Sequence, residues 1–410
     1  MKKHSLIKLC SVFISLILIF QITGSNKVLA RDANEKDLLE RLINEQGDSI
    51  KKVFKDTDKY QVQILYTRVS KDENEKSNFT SFSYNLDGKQ YFYPASAIKL
   101  SACVLALEKL NNLNIDGLNK DTPLVIKKDR GSQKSQSWDS GTKDSKPTIA
   151  NFIKKVLVVS DNNSFDRLYE FLGQEYYNKT MWEKGYKNFL VMHRLGNPMS
   201  STENKYTNSF DFYKGNEVIY SQPMVYNTSS YEFNNIKDLT KGVGYISKGK
   251  YIASPKDFSK ANFMSIQCMQ DLLMAIVYPQ YIEENKRFNL TEKDYEFLKE
   301  YLSMIPRECE NPKYNYNDSY VKYFMFGDSK EKIPENIKIY NKIGCAYGYL
   351  IDNAYIVDEK NNVEFFLTAV VYCNENNVFN DGKYEYNKIG LPFLAKLGRI
   401  IYGYELNSKT

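Results

Sequence analysis

Two strand-like runs near the start of the chain and three near its end, with a long helical stretch between, limit the fold more than any other feature. Tyr60 to Val69 and Phe79 to Tyr93 are rich in β-branched and aromatic residues and flank the charged turn Lys71 to Lys76. Ile337 to Gly344, Tyr349 to Asp358 and Val363 to Cys373 have the same character, and the turn Glu359 to Asn362 joins the last two as antiparallel neighbours. A helix over about Asn34 to Phe54, with Leu38, Leu39, Leu42 and Ile43 on one stripe, precedes the first set, and a helix over about Leu391 to Tyr404 follows the second. The order predicts one antiparallel sheet assembled from both chain ends, flanked by helices, around a helical subdomain. That is a mixed α/β fold of the α+β kind.

The middle of the chain is punctuated clearly. Over Ala97 to Leu113, apolar residues spread around the whole cylinder, which places this helix inside the protein. Lys127 to Lys146 reads as a loop, and Pro147-Thr148 opens a helix with Ile149, Phe152, Ile153, Val156 and Leu157 on one face. A second helix carries Phe165, Leu168, Tyr169 and Leu172 and stops at Gly173, so Ser160 to Asn163 bridges the two. Asn197 to Lys250 has no helical period and reads as loops and hairpins, while helices resume at about Ser254 to Ile276 and Thr291 to Met304. No internal repeat or linker divides the chain.

Composition excludes several chemistries. The net charge of +6 falls to +2 once the first thirty residues are set aside, because these hold four lysines and no acid and leave 52 bases against 50 acids. That is no nucleic-acid footprint. Only His4 and His193 occur, so a multi-histidine zinc site is impossible, and no Gly-x-Ser-x-Gly elbow accompanies His193. A serine nucleophile here needs a base other than histidine. Cys103, Cys268, Cys309, Cys345 and Cys373 form no C-x-x-C pair and imply no disulfide framework; Cys103, in the apolar helix, reads as a small core residue.

The chain opens like an export signal: Lys2 and Lys3, an apolar run from Ser11 to Ile22, then Val28-Leu29-Ala30. Residues 1–30 are expected to be removed, leaving 31–410 as one exported domain, periplasmic or secreted, without a stable membrane span.

Ser96 and Lys99 stand three apart at the start of the buried helix and project from one face. The helix N-terminus offers free N–H groups to the hydroxyl, and a desolvated lysine near another cation can take its proton. Ser160-Asp161-Asn162 follows in the inter-helix bridge, and Lys342-Ile343-Gly344 lies on a C-terminal strand. Three short motifs in this order, each on the element its chemistry needs, are far more specific than any one. With them the chain resembles the serine β-lactamase and penicillin-binding protein superfamily, class A β-lactamases in particular, over about Asp37 to Leu406.

The resemblance implies an acyl-enzyme on Ser96 with Lys99 as base and no metal or cofactor. Ser160 would relay a proton to the leaving nitrogen, Asn162 would hold the substrate amide and Lys99, and Lys342 would keep positive charge beside Ser160. The backbone N–H groups of Ser96 and Cys345, after Gly344, would form the oxyanion hole. Trp138 falls where the family keeps an aromatic gate, or it merely anchors its loop. The substrate would be a β-lactam or a peptidoglycan peptide, and the protein a monomer. The leading expectation is β-lactam hydrolysis; the alternatives are a penicillin-binding D,D-peptidase or transpeptidase and a wall-binding protein that has lost turnover.

Departures bear on that choice. The family's hydroxyl after the strand lysine is replaced by Ile343. No Glu-x-x-Leu-Asn segment, the usual source of the deacylating base, occurs between Asn162 and Lys342. His193-Arg194-Leu195 looks like the start of that loop, which makes Glu203 the candidate base, against the alternative of a solvated loop acid. His193 itself reads as a packed or loop residue. The 182 residues separating Ser160 from Lys342 are more than the family usually has, so 197–250 looks like an insertion that covers substrate or closes a small satellite core.

Overall fold

The computed structural model describes residues 38–44, 48–142 and 144–408. The export signal expected over 1–30 lies outside them. Among the described residues no helix is long and apolar enough to cross a membrane.

The described residues open with helices α1 (Leu38–Asn44), α2 (Asp48–Phe54) and the single turn α3 (Thr57–Tyr60), followed by strands β1 (Gln63–Lys71) and β2 (Ser77–Tyr84). The last third supplies β3 (Ile337–Ala346), β4 (Tyr349–Asp358) and β5 (Val363–Tyr372). These five strands form one sheet in the order β3-β4-β5-β1-β2, antiparallel throughout. The two chain ends therefore meet at the β5–β1 pair, where Gln63 faces Val370. The second predicted strand is shorter than its aromatic content suggested. Tyr91 and Phe92 are fully buried core residues, but Tyr91 N–H donates to Lys237 O of a distant loop instead of to a sheet neighbour.

Both sheet faces are covered. One face packs α1, α2 and the final helix α10 (Leu391–Asn407), with Leu38, Leu39, Leu42 and Ile43 buried against Phe393, Leu397 and Ile401. The other face carries α8 (Ile266–Val277) and the helical layer, made of α4 (Lys99–Leu113), α5 (Ile149–Val159), α6 (Asn162–Leu172), α7 (Gln174–Glu183) and α9 (Glu292–Ser303). As its all-round apolar pattern requires, α4 is buried over Lys99 to Glu108. Cys103 is 0% exposed within it, and all five described cysteines are free. The helix expected from Ser254 starts only at Ile266, where the Ser265 side chain caps Cys268 N–H; Lys256–Asp257 and Phe263–Met264 before it are short strands.

Strands within 197–250 pair away from the large sheet. Phe210–Lys214 joins Leu124–Ile126 and Glu217–Gln222, with Phe210 and Phe212 edge-on to Phe171. Gly244–Ser247 lies between Lys250–Ile252 and Val378–Phe379. Phe210 and Phe212 belong to the same buried cluster as Phe171 and α4, and Tyr220, Phe233 and Tyr245 pack against it, so this region extends the main core and forms no satellite one.

Candidate active site

Ser96 lies on a turn of 3-10 helix, Ala95–Ile98, that leads straight into α4. Ala95 has φ +49°, a conformation that residues with a Cβ seldom adopt, at the point where the chain bends into this turn. The turn packs on the free edge of β3. A Cβ on Gly344 would lie 2.5 Å from Pro94 O and 3.2 Å from Ala97 N, so only glycine lets strand and turn approach this closely.

The hairpin after β3 sets the direction of the next N–H group. Tyr347 and Gly348, at φ +52° and +82°, make a two-residue turn that leaves Ala346 opposite Tyr349 as the closing hydrogen-bonded pair. By alternation, the Cys345 N–H points away from β4, off the unpaired edge. Ser96 and Cys345 line one cleft of about 460 Å³ together with Asn162, Leu195, Tyr93, Tyr347 and Tyr384.

Two buried lysines meet at Ser160. The Ser160 backbone, at φ +59°, ends α5, and the Asp161 side chain caps α6 by accepting Ser164 N–H at 2.6 Å. Lys99 Nζ donates to Ser160 O at 2.5 Å and Asn162 Oδ1 at 2.6 Å, and lies 3.4 Å from Ser160 Oγ. Lys342 Nζ donates to Ser160 Oγ at 2.8 Å. Burial lowers the pKa of Lys99 to about 7 against the opposing pull of Asp161 and Asp166. Burial also pushes the Lys342 ammonium well below the ordinary lysine range, and the Lys99 charge adds to that effect. The strand holding Lys342 is itself fixed by Lys322, whose Nζ donates to Asn341 Oδ1 at 2.7 Å, while Asn341 donates to Asp352.

The remaining sites fall elsewhere. The Ile343 side chain is buried in the core beneath the sheet and presents nothing to the cleft. Glu203 is not brought to Ser96. Its carboxylate accepts from Arg130 Nη2 at 2.6 Å, Arg130 Nε at 3.2 Å and Ser132 Oγ, and these bonds hold its pKa down to about 2. His193 is a packed residue stacked 6.1 Å from Tyr93, with Nδ1 against Arg194 O, and burial lowers its pKa. Trp138 stands 64% exposed on a neighbouring groove that also contains Ser160 and Asn162.

Asp166, which the motif reading did not single out, organises the loop over the cleft. It accepts N–H bonds from Leu195 at 2.7 Å, Gly196 at 3.1 Å and Asn197 at 2.7 Å, and burial nevertheless raises its pKa to about 6. Its position four residues after Asn162 puts both on one face of α6, which was the available signal. Arg194 ties the same loop down through Glu170 at 2.9 Å and Tyr206 O at 2.7 Å.

Residues 46–236 match the model of the beta-lactamase enzyme family. The resemblance to the serine β-lactamase and penicillin-binding protein superfamily therefore stands. No curated protein matches the chain. Among solved structures it is similar to a class A β-lactamase from Clostridium kluyveri, at 13% identity and TM-score 0.46 over 91% of this chain and 99% of that one. A β-lactamase from Streptomyces albus G gives 10%, 0.46, 91% and 99%, and the structure of PBP-A gives 12%, 0.46, 91% and 96%.

Proposed function

We propose that this protein is acylated on Ser96 by β-lactams and by the acyl-peptide substrates they imitate, and that its acyl-enzyme hydrolyses slowly, as in a penicillin-binding protein. The observation that carries this reading is the pairing of acylation machinery with a cleft that lacks a base. Lys99, near half neutral at pH 7, takes the Ser96 Oγ proton as the oxygen attacks the substrate carbonyl. The N–H groups of Ser96 and Cys345 receive the developing oxyanion. Ser160, bonded to Lys342, passes a proton to the leaving nitrogen.

Hydrolysis of the ester needs a second base within reach of a water. None of the residues lining the Ser96 cleft is an acid. Of the nearby carboxylates, Asp161 is engaged as a helix cap, Asp166 by three backbone N–H groups, and Glu203 by Arg130. Rapid β-lactam hydrolysis, the leading expectation from the motifs, ranks behind slow release for this reason. The leader-like residues 1–30 support action outside the cytoplasm, where such substrates occur.

The test is intact-mass measurement after treatment with penicillin. A mass increase equal to the whole drug should appear, persist after free drug is removed, and vanish in Ser96→Ala. An adduct that survives Ser96→Ala would sink the nucleophile assignment, and return to the starting mass within minutes would restore the β-lactamase reading.

A further inference from the structure

We propose that the groove beyond Ser160, between the Lys134–Ser140 loop and the 312–320 segment, binds a saccharide chain; this deepens the reading of Ser96 as a serine acylated by wall-type peptides. The groove encloses about 1000 Å³ and shares Asn162 with the Ser96 cleft. One molecule can therefore present an acyl group to Ser96 and a second moiety to the groove.

Its walls offer flat aromatic faces. Of the nine large hydrophobic side chains exposed among the described residues, Trp138, Tyr316 and Tyr320 all line this one groove. Tyr316 and Tyr320 stack at 4.0 Å and 7°, and Tyr314 continues the series 6.3 Å from Tyr316 at 20°. A pyranose ring lays its C–H face on such a surface and turns its hydroxyls outward to polar partners.

Those partners are present and carry little net charge. Asp139 is 3% exposed, with one carboxylate oxygen held by Lys155 and the other buried without a partner. Asp139 is one of the groove-lining residues, beside Ser135, Gln136, Asn163 and Asn197, whose side chains supply donors and acceptors for sugar hydroxyls. Three bases face four acids along the groove, a balance that does not suit a polyanion. Val159 is its one branched aliphatic side chain, so it lacks the apolar sockets that read peptide side chains. Flat aromatic faces with mixed, near-neutral polar groups fit a neutral sugar chain best.

The test titrates the linear tetramer of N-acetylglucosamine into the full protein and into Ser96→Ala, followed by calorimetry and by tryptophan emission. Saturable binding is expected in both. Tyr316→Ala and, separately, Tyr320→Ala should weaken it by about tenfold, the worth of one lost stacking contact, while Tyr316→Phe keeps the ring and the affinity. Circular dichroism and the melting temperature identify any variant that fails to fold, and the other alanine variant then decides. Absence of saturable binding, or equal affinity in both folded alanine variants, overturns the proposal. Penicillin labelling without tetramer binding refutes the groove assignment alone, and tetramer binding without labelling refutes the acylation reading alone.

Discussion

If Lys99 is the base that activates Ser96, acylation must follow its deprotonation, and the buried site fixes where that occurs. An ordinary lysine at 10.5 is neutral in roughly one molecule in 3,000 at pH 7. With its pKa lowered to about 7, Lys99 is neutral in about half. The change amounts to about 5 kcal/mol of lost preference for the charged form, and desolvation of a side chain that is 0% exposed is its main cause. Only the neutral amine accepts the serine proton. The second-order rate constant for labelling by a fluorescent penicillin should therefore rise about tenfold per pH unit below 6.5 and level off above about 7.5. Because Lys342 shares Ser160 with Lys99, the observed midpoint belongs to the pair. Lys99→Arg keeps a cation that cannot be deprotonated under these conditions and should lower the plateau by roughly a thousandfold or more. A rate constant flat from pH 5.5 to 9, or near-normal labelling of Lys99→Arg, would refute the argument.

Three further outcomes follow from the geometry. Gly344→Ala puts a methyl group 2.5 Å from Pro94 O, so strand and turn must part; labelling should slow at least about tenfold and stability fall by about 1 to 3 kcal/mol in urea denaturation. Asp166→Ala strips the acceptor from three loop N–H groups and should cost roughly 2 kcal/mol or more, with faster hydrogen exchange at Leu195, Gly196 and Asn197 as the local readout. Glu203→Gln loses part of its hold on Arg130 but should leave the lifetime of the acyl-enzyme unchanged by intact mass; a lifetime lengthened tenfold would return Glu203 to the role of deacylating base.

What was legible in the sequence was whatever a local pattern records. The helix opening at Pro147-Thr148, the stop at Gly173 and the all-round apolar helix over Ala97 to Leu113 each placed an element to within a few residues of its observed bounds. The three motifs fixed which side chains meet at Ser160. Contacts set by chain return were not legible. Tyr91 to Tyr93 have strand composition but leave the sheet, Tyr91 N–H pairing with Lys237 O, and the cleft gains Tyr347 from the hairpin turn after β3 and Tyr384 from the segment beyond β5. Glu203 shows the same limit in reverse. Proximity in sequence to His193-Arg194-Leu195 made it a candidate, but Arg130, 73 residues earlier, captures its carboxylate.

The arrangement at Ser160 bears on why acylation and release would separate so sharply. Two buried lysines converge on one hydroxyl, and burial lowers both pKa values although Asp161 and Asp166 pull that of Lys99 upward. A lysine kept partly neutral this way serves the first proton transfer well. Burial lowers the pKa of the Lys342 ammonium in the same way, so both amines at Ser160 are held below the ordinary lysine range. A carboxylate inserted beside the acyl ester would raise the Lys99 pKa toward its ordinary value as it supplied a base for hydrolysis. Under the proposed function, such an acid is therefore expected to speed release and to move the midpoint of acylation to higher pH.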